Sequence, residues 1–151
     1  MIKIICFGKI KETFFKEAIK EYQKRISKYT KIEIIELEDY KDDDIKKCLK
    51  EEKKDLLKKI SKDDNIVMLD IEGKACDSIE FAKFINKEQI YNSNITFLIG
   101  SSNGFDDEIK EITNKKISFS KMTFPHQLFR IILLEQIYRA YKIVNNESYH
   151  K

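Results

Sequence analysis

The sequence predicts a single α/β domain, spanning residues 1–151, in which a mostly parallel sheet of about five strands carries helices on both faces. Two observations support this prediction. Short, continuously apolar runs alternate along the chain with longer segments whose apolar residues recur every three or four positions. Continuous apolar runs are typical of strands buried on both faces, as in parallel sheets. The length fits one domain of ordinary size, and no linker or internal repeat divides it.

The first half of the chain contains three predicted strands and two predicted helices. The strands are expected at residues 2–7, 31–36 and 66–70, and the helices at residues 12–28 and 42–60. After the third strand, Gly73 is predicted to form a turn, because glycine adopts backbone conformations that side chains disfavour.

The second half continues the same alternation. Strands are expected at residues 95–99 and 117–119, and helices from Ser78, at 106–112 and at 126–144. Ser78 and Thr123 are the expected caps of their helices. Pro125, the only proline, stands where the last helix begins, a position that tolerates the missing amide hydrogen.

The last helix carries apolar residues in nearly every direction from Leu128 to Val144. A helix on the surface of a monomer shows one apolar stripe, so this helix is expected to be buried on more than one side. Leu133 and Ile137 point away from Leu128 and Ile132, which predicts a homodimer built on this helix.

Composition describes a soluble, cytoplasmic protein: 36% of the residues are charged and 42% hydrophobic. No uncharged apolar run approaches the length of a membrane span, and the amino terminus has no signal-peptide core. Three cysteines without metal-ligand spacing fit reduced thiols, and no metal site is expected. The net charge of +3 proves no nucleic-acid partner. Basic residues nevertheless dominate the carboxyl-terminal third, which is either a positive face or an ordinary solvated surface.

Three loops of unusual composition follow predicted strand ends, at residues 69–74, 100–104 and 118–126. Ligands bind beyond the carboxyl ends of parallel strands, so these loops are expected to form one pocket. The small residues from Gly100 to Gly104 allow a ligand to approach the backbone, although a structural turn explains the same spacing. The spacing matches neither the dinucleotide fingerprint nor the phosphate-binding loop with its lysine.

Few side chains are candidates for chemistry. His126 stands at the start of the last helix, where it is either an acid, a base or a hydrogen-bonding cap. His150 belongs to a terminal segment that is frayed in most chains. Asp70 ends a strand, where an aspartate commonly caps a turn. No cluster of histidine, cysteine and carboxylate indicates zinc, and no nucleophile elbow indicates a hydrolase.

Five motifs occur in an order that is specific to one family. They are Leu69-Asp70-x-x-Gly73-Lys74, Phe97-Leu98-Ile99-Gly100-x-x-x-Gly104, Ser118-x-Ser120-x-Met122-Thr123-Phe124-Pro125-His126, Glu135-Gln136-Ile137-Tyr138-Arg139-Ala140 and Tyr149-His150-Lys151. Through them the whole chain resembles the RlmH-type ribosomal RNA methyltransferases of the SPOUT class. The resemblance implies a homodimeric enzyme that uses S-adenosylmethionine, without a metal, to methylate N3 of a pseudouridine in large-subunit ribosomal RNA, within the ribosome.

The resemblance also implies a carboxyl-terminal trefoil knot, which no periodicity would suggest, since true knots are exceptional. It assigns cofactor contacts to the following residues: Leu69, Gly100, Ser101, Ser120, Lys121, Met122, Thr123, Phe124 and Pro125. Gly104 closes the same loop and joins this set. Ser101 stands where many relatives have a second glycine.

The implied chemistry requires mainly that the methyl group be aligned with the attacking nitrogen, because a methyl group on a sulfonium is already activated. The proton on N3 has to leave, and His126 or solvent is its acceptor. The residues expected to contact RNA are Lys9, Arg130, Arg139, Tyr149, His150 and Lys151. For both arginines the alternative is an ion pair with Glu135 or another carboxylate.

Two other functions share parts of this pattern. A Rossmann-like nucleotide-binding enzyme has the same kind of sheet and glycine loop, but it requires a fingerprint that is absent here. A non-enzymatic ribosome- or RNA-binding factor requires only a basic face.

Overall fold

The computed structural model describes all 151 residues and contains one five-stranded sheet in the order β2-β1-β4-β3-β5. The strands are β1 (Ile2–Phe7), β2 (Ile32–Leu37), β3 (Asn65–Ala75), β4 (Ile95–Ile99) and β5 (Lys116–Ser118). The helices are α1 (Thr13–Ile26), α2 (Ile45–Leu57), α3 (Ser78–Tyr91), α4 (Asp107–Lys110) and α5 (His126–Val144). Every neighbouring pair of strands is parallel, which confirms the predicted fold class.

The two faces of the sheet pack against different helices. On one face, α1, α3 and α5 contribute to a core of 18 buried residues, and on the other, α2 and α4 cover a smaller core of 8. Strand β1 shows why: Ile2 and Ile4 belong to the larger core, whereas Ile5 and Phe7 belong to the smaller one. Alternate side chains of a strand point to opposite faces, so a strand buried on both faces is apolar throughout.

The predicted helix bounds are confirmed at α5 and are slightly too long at α1 and α2. Two predicted caps are wrong. Asp77, rather than Ser78, caps α3 by accepting a hydrogen bond from the Glu80 backbone N–H at 2.7 Å, in a reciprocal capping box. Thr123 does not cap α5, because Pro125 occupies the cap position and no side chain bonds to the free amides there. None of the helices is long and apolar enough to cross a lipid bilayer.

Strand β3 continues past the point where the sequence predicts a turn. Leu69 and Lys74 both pair with Ile117 of β5, so the register of β3 shifts between them in an irregular, bulged stretch at residues 70–73. A Cβ on Gly73 would lie 2.7 Å from backbone atoms of Ile117. The prediction of a turn at Gly73 is therefore wrong, since this glycine lies within the strand and permits close contact of two backbones.

Helix α5 is buried on several sides by its own chain. It packs against α1 and α3, and the side chains of Leu133 and Ile137 are fully buried in the larger core. These two residues therefore leave no apolar area for a partner subunit to cover, and that part of the argument for a homodimer is wrong. The apolar side chains that α5 leaves exposed are Leu128, at 37%, and Val144, at 36%, near its two ends.

Candidate active site

A cavity of about 570 Å³ lies at the carboxyl ends of β3, β4 and β5. Its wall is formed by residues 69–71, 99–102, 104–105, 117–120 and 122–126, together with Lys110 and Phe129. The three segments predicted from composition thus converge on one site, although residues 69–71 belong to β3 rather than to a loop. The volume lies in the range of small-molecule pockets.

The cavity wall includes ten of the eleven residues predicted to bind the cofactor or to act as the base. They are Leu69, Gly100, Ser101, Gly104, Ser120, Met122, Thr123, Phe124, Pro125 and His126. Lys121 is the exception, because it is exposed and contributes nothing to the wall.

The loop from Gly100 to Gly104 is closed by its own backbone. The Ser101 N–H donates to the Gly104 carbonyl at 3.2 Å, and the Gly104 N–H donates to the Ser101 carbonyl at 2.9 Å. A Cβ on Gly100 would lie 2.8 Å from that same Gly104 oxygen, and Gly104 has a φ of +77°. Both glycines are therefore required by the geometry, one by close approach and the other by its left-handed conformation.

Aromatic rings form the apolar part of the wall and fix the segment before α5. The ring centroids of Phe119 and Phe129 lie 5.4 Å apart, and Phe124 stacks on Phe129 with a centroid separation of 6.2 Å and an interplanar angle of 16°. The hydroxyl of Ser120 accepts a hydrogen bond from the Met122 N–H at 2.9 Å. The sequence interpretation missed Phe129, although its place one helical turn after Pro125 is a usable signal.

Asp70, Lys110 and His126 are the only ionisable side chains in the wall. Asp70 Oδ1 accepts a hydrogen bond from the Glu72 N–H at 3.1 Å, so this carboxylate bonds to the backbone within the bulged stretch of β3. His126 is half-buried in the first turn of α5. Among these three groups, His126 is of the type that most often serves as a general acid or base.

Arg130 lies inside the protein, where it holds α5 to the end of β1. Its side chain is 1% exposed and pairs with Glu36 at 3.0 Å, while Nη2 donates to the carbonyls of Gly8 at 3.0 Å and Phe7 at 3.3 Å. The prediction that Arg130 contacts RNA is therefore wrong, because a buried guanidinium with these partners has no surface left for a phosphate. The alternative, an ion pair, is confirmed with Glu36 as the partner.

Lys9 lies exposed in the loop that this pair supports, since Glu36 also accepts a hydrogen bond from the Ile10 N–H at 2.9 Å. Its side chain is free to meet a phosphate.

The terminal segment, residues 149–151, packs on the outer side of α5. Arg139 pairs with Glu135 at 2.6 Å and lies over the Tyr149 ring, 4.7 Å from its centroid. The Tyr149 hydroxyl donates to Glu135 at 3.2 Å, and His150 Nδ1 lies 3.2 Å from Arg139 Nη1. Tyr149 is thus held in place rather than frayed. None of these three residues lines the cavity of its own chain.

An open parallel sheet with a ligand-sized cavity at the carboxyl ends of its strands, and a tight glycine loop in the wall, defines a class of α/β proteins that bind ligands at that edge. Within this class, the chain belongs to the SPOUT methyltransferase family, because the family model described as "Predicted SPOUT methyltransferase" matches residues 1–150.

Relatives of similar length match the whole chain. A ribosomal RNA large subunit methyltransferase H from Caldicellulosiruptor saccharolyticus is 47% identical over 154 residues, which cover 100% of both chains. A putative ribosomal RNA large subunit methyltransferase H from Methanococcus maripaludis is 50% identical over 157 residues, covering 99% of each chain. A Clostridium perfringens protein with the name ribosomal RNA large subunit methyltransferase H is 47% identical over 157 residues, again covering 99% of each. These matches confirm the family resemblance and the prediction of a methyltransferase.

Proposed function

We propose that this protein transfers a methyl group from S-adenosylmethionine to N3 of a pseudouridine in large-subunit ribosomal RNA. The proposal rests on the names of relatives that are 47–50% identical over essentially the full chain. The observation that carries it to this molecule is the convergence of the three motif-bearing segments on one cavity.

The residues present fit such a cofactor. Leu69, Ile99 and Ile117 give the wall an apolar surface suited to a nucleobase, and the loop around Gly104 supplies backbone atoms at close range. A Cβ on Gly104 would meet no atom within 4 Å, so this part of the loop borders open space. When bound, the cofactor supplies a methyl group that needs no further activation.

The protein's own contribution is therefore to align the methyl group with N3 and to remove the proton of N3. We assign proton acceptance to a ring nitrogen of His126, which takes the hydrogen of N3 as the N3 electron pair forms the new nitrogen–carbon bond. Phe124 and Phe129 place stacked apolar rings beside this position, and the Arg130–Glu36 pair holds the first turns of α5, on which His126 lies.

The active unit in this proposal is a homodimer in which the terminal segment of each subunit completes the partner's site. Met122 in the cavity wall is 73% exposed, and Leu128 is 37% exposed one turn into α5, so apolar surface remains uncovered beside the cavity. His150 and Lys151 are exposed and do not reach their own cavity. Together with Lys9 and Arg139, they provide cationic and aromatic groups suited to RNA.

We also propose that the chain is knotted. The support is the membership of the chain in the SPOUT methyltransferase family, for which the resemblance implies a carboxyl-terminal trefoil knot.

The test is methyl transfer from labelled S-adenosylmethionine to ribosomes that lack the modification, with the site mapped by digestion and mass spectrometry of the RNA. We expect label on one pseudouridine of the large subunit, and chelators should not change the amount of label. Binding of the protein to the ribosome should weaken as the salt concentration rises. His126→Asn is expected to reduce the rate while calorimetry shows unchanged cofactor affinity. Labelling of DNA or of a small molecule, with ribosomes left unmodified, would refute the assignment.

A further inference from the structure

Helix α2 carries a carboxylate in the middle of its buried face. Cys48, Glu52 and Leu56 follow one another at four-residue spacing, and all three are buried; Glu52 is only 2% exposed. Cys48 and Leu56 are apolar, as a buried helix face requires. A charged group there costs free energy unless it has a partner.

The partner of Glu52 is the glycine loop of the cavity. The Ser101 hydroxyl donates to Glu52 Oε2 at 2.8 Å, in a bond that is itself buried. The same hydroxyl accepts a hydrogen bond from the Asn103 N–H at 3.3 Å. Since Ser101 is also joined to Gly104 through both backbone bonds, one carboxylate is linked to the whole turn from Ser101 to Gly104.

The second oxygen of Glu52 shows that burying this carboxylate costs free energy. Oε1 is buried without a hydrogen-bond partner, and so is Oδ1 of Asp39. Burial raises the pKa of Glu52 and the negative charge of Asp39 adds to this effect, while the Ser101 hydroxyl and the Tyr40 backbone oppose it without reversing it. If α2 needed only to cover the sheet, an apolar side chain at position 52 would do so at lower cost.

We propose that Glu52 is a positioning residue for cofactor binding, which holds the loop from Ser101 to Gly104 against the cavity through the Ser101 hydroxyl. Glu52 does not touch the ligand, and its effect passes through Ser101. The inference rests on the proposed use of S-adenosylmethionine, and it gives α2, on the opposite face of the sheet from α5, a part in binding that cofactor.

The test measures two quantities on each variant: the calorimetric Kd for S-adenosylmethionine and the melting temperature. Glu52→Leu and Ser101→Ala are each expected to raise Kd about tenfold, the equivalent of one hydrogen bond. Glu52→Leu should leave the melting temperature unchanged or higher, since it replaces a poorly satisfied buried charge. Loss of affinity without loss of stability is the signature of positioning.

Three further variants separate this effect from general packing. The double variant should bind no worse than either single variant, because both remove the same bond. Glu52→Gln should stay within about threefold of the parent Kd, since its amide oxygen still accepts from Ser101. Leu56→Ala, one turn along the same buried face, should lower the melting temperature but leave Kd unchanged.

The inference is overturned if the parent protein binds the cofactor and Ser101→Ala binds equally well, or if Leu56→Ala raises Kd as much as Glu52→Leu. Ser101→Ala removes a single oxygen atom, so it remains decisive should Glu52→Leu fail to fold. Absence of binding by the parent protein would instead refute the proposed function itself.

Discussion

The two ends of helix α5 use the same residue type in opposite ways. At the amino-terminal end, Arg130 is 1% exposed and pairs with Glu36, Gly8 and Phe7. At the carboxyl-terminal end, the Arg139 side chain is 24% exposed and lies among Glu135, Tyr149 and His150. From the sequence both arginines have the same two interpretations, an RNA contact or an ion pair.

The difference arises from what each end of the helix meets. The first turns of α5 meet the end of β1, where the carbonyls of Phe7 and Gly8 accept hydrogen bonds from Arg130. The last turns lie against α1 and the terminal segment, where Tyr29 stacks on Tyr141 at 5.3 Å and Tyr138 meets Tyr149 at 4.9 Å. One end is therefore part of the architecture, and the other presents cationic and aromatic groups at the surface.

The largest expected effect of this difference is on stability. Arg130→Met should lower the free energy of unfolding by about 3 kcal/mol, because it leaves Glu36 and two carbonyls without their donor. Arg139→Met, the matched control on the same helix, should lower it by less than about 1 kcal/mol, as for other ion pairs near a surface. Chemical denaturation measures both, and equal losses would contradict the contrast.

Removal of residues 149–151 should act on catalysis rather than on folding. We expect kcat/KM for methyl transfer to fall about thirtyfold, in the range of one lost stacking contact with a base, while cofactor affinity and melting temperature stay nearly constant. Tyr149→Phe is the control, since it loses the hydrogen bond to Glu135 but keeps the ring. Undiminished turnover of the shortened chain would limit the segment to a structural role.

At the cavity end, Gly104→Ala should raise the Kd for S-adenosylmethionine about tenfold, because the loop is expected to rearrange. Gly8→Ala is a matched control: the φ angles are +77° and +82°, and neither added Cβ would clash. Each substitution should cost about 1 kcal/mol of stability. Calorimetry should show weaker binding for Gly104→Ala alone, and an equal change in both variants would remove the loop from the site.

The smallest expected effect concerns pH at the carboxyl-terminal end. Glu147 accepts hydrogen bonds from Lys142 and from the Tyr29 hydroxyl, and these partners hold the pKa of its carboxyl below the usual value. A lowered pKa stabilises the fold above about pH 4.3, and this contribution is lost as the pH falls through the folded-state pKa. Melting curves of the parent and Glu147→Gln should therefore differ slightly at pH 7 and converge in acid. A difference independent of pH would contradict this role.

Much of the site was predictable because its motifs are local. Gly100 and Gly104 lie four residues apart, and the segment from Ser118 to His126 is continuous, so their composition alone indicated a loop that lines a pocket. Lys121 belongs to the same run but points outward. Nothing in the spacing of that run distinguishes its wall residues from its exposed ones.

The role of Gly73 was likewise beyond what local sequence could predict. The sequence indicates that Gly73 is needed, and the predicted reason, a turn, is wrong because the requirement comes from the backbone of β5, more than forty residues later.

The sequence by itself determined the order and kind of the elements, the exact bounds of α5, the family and the three segments that line the cavity. These depend on hydrophobic periodicity and short motifs, which are properties of neighbouring residues. Only the tertiary structure decided which polar side chains are buried and which apolar ones are already covered. Arg130 meets Glu36 across 94 residues of chain, and Ser101 meets Glu52 across 49. The physical reason is that the cost of burying a charge depends on partners brought close by the fold, which no local pattern specifies.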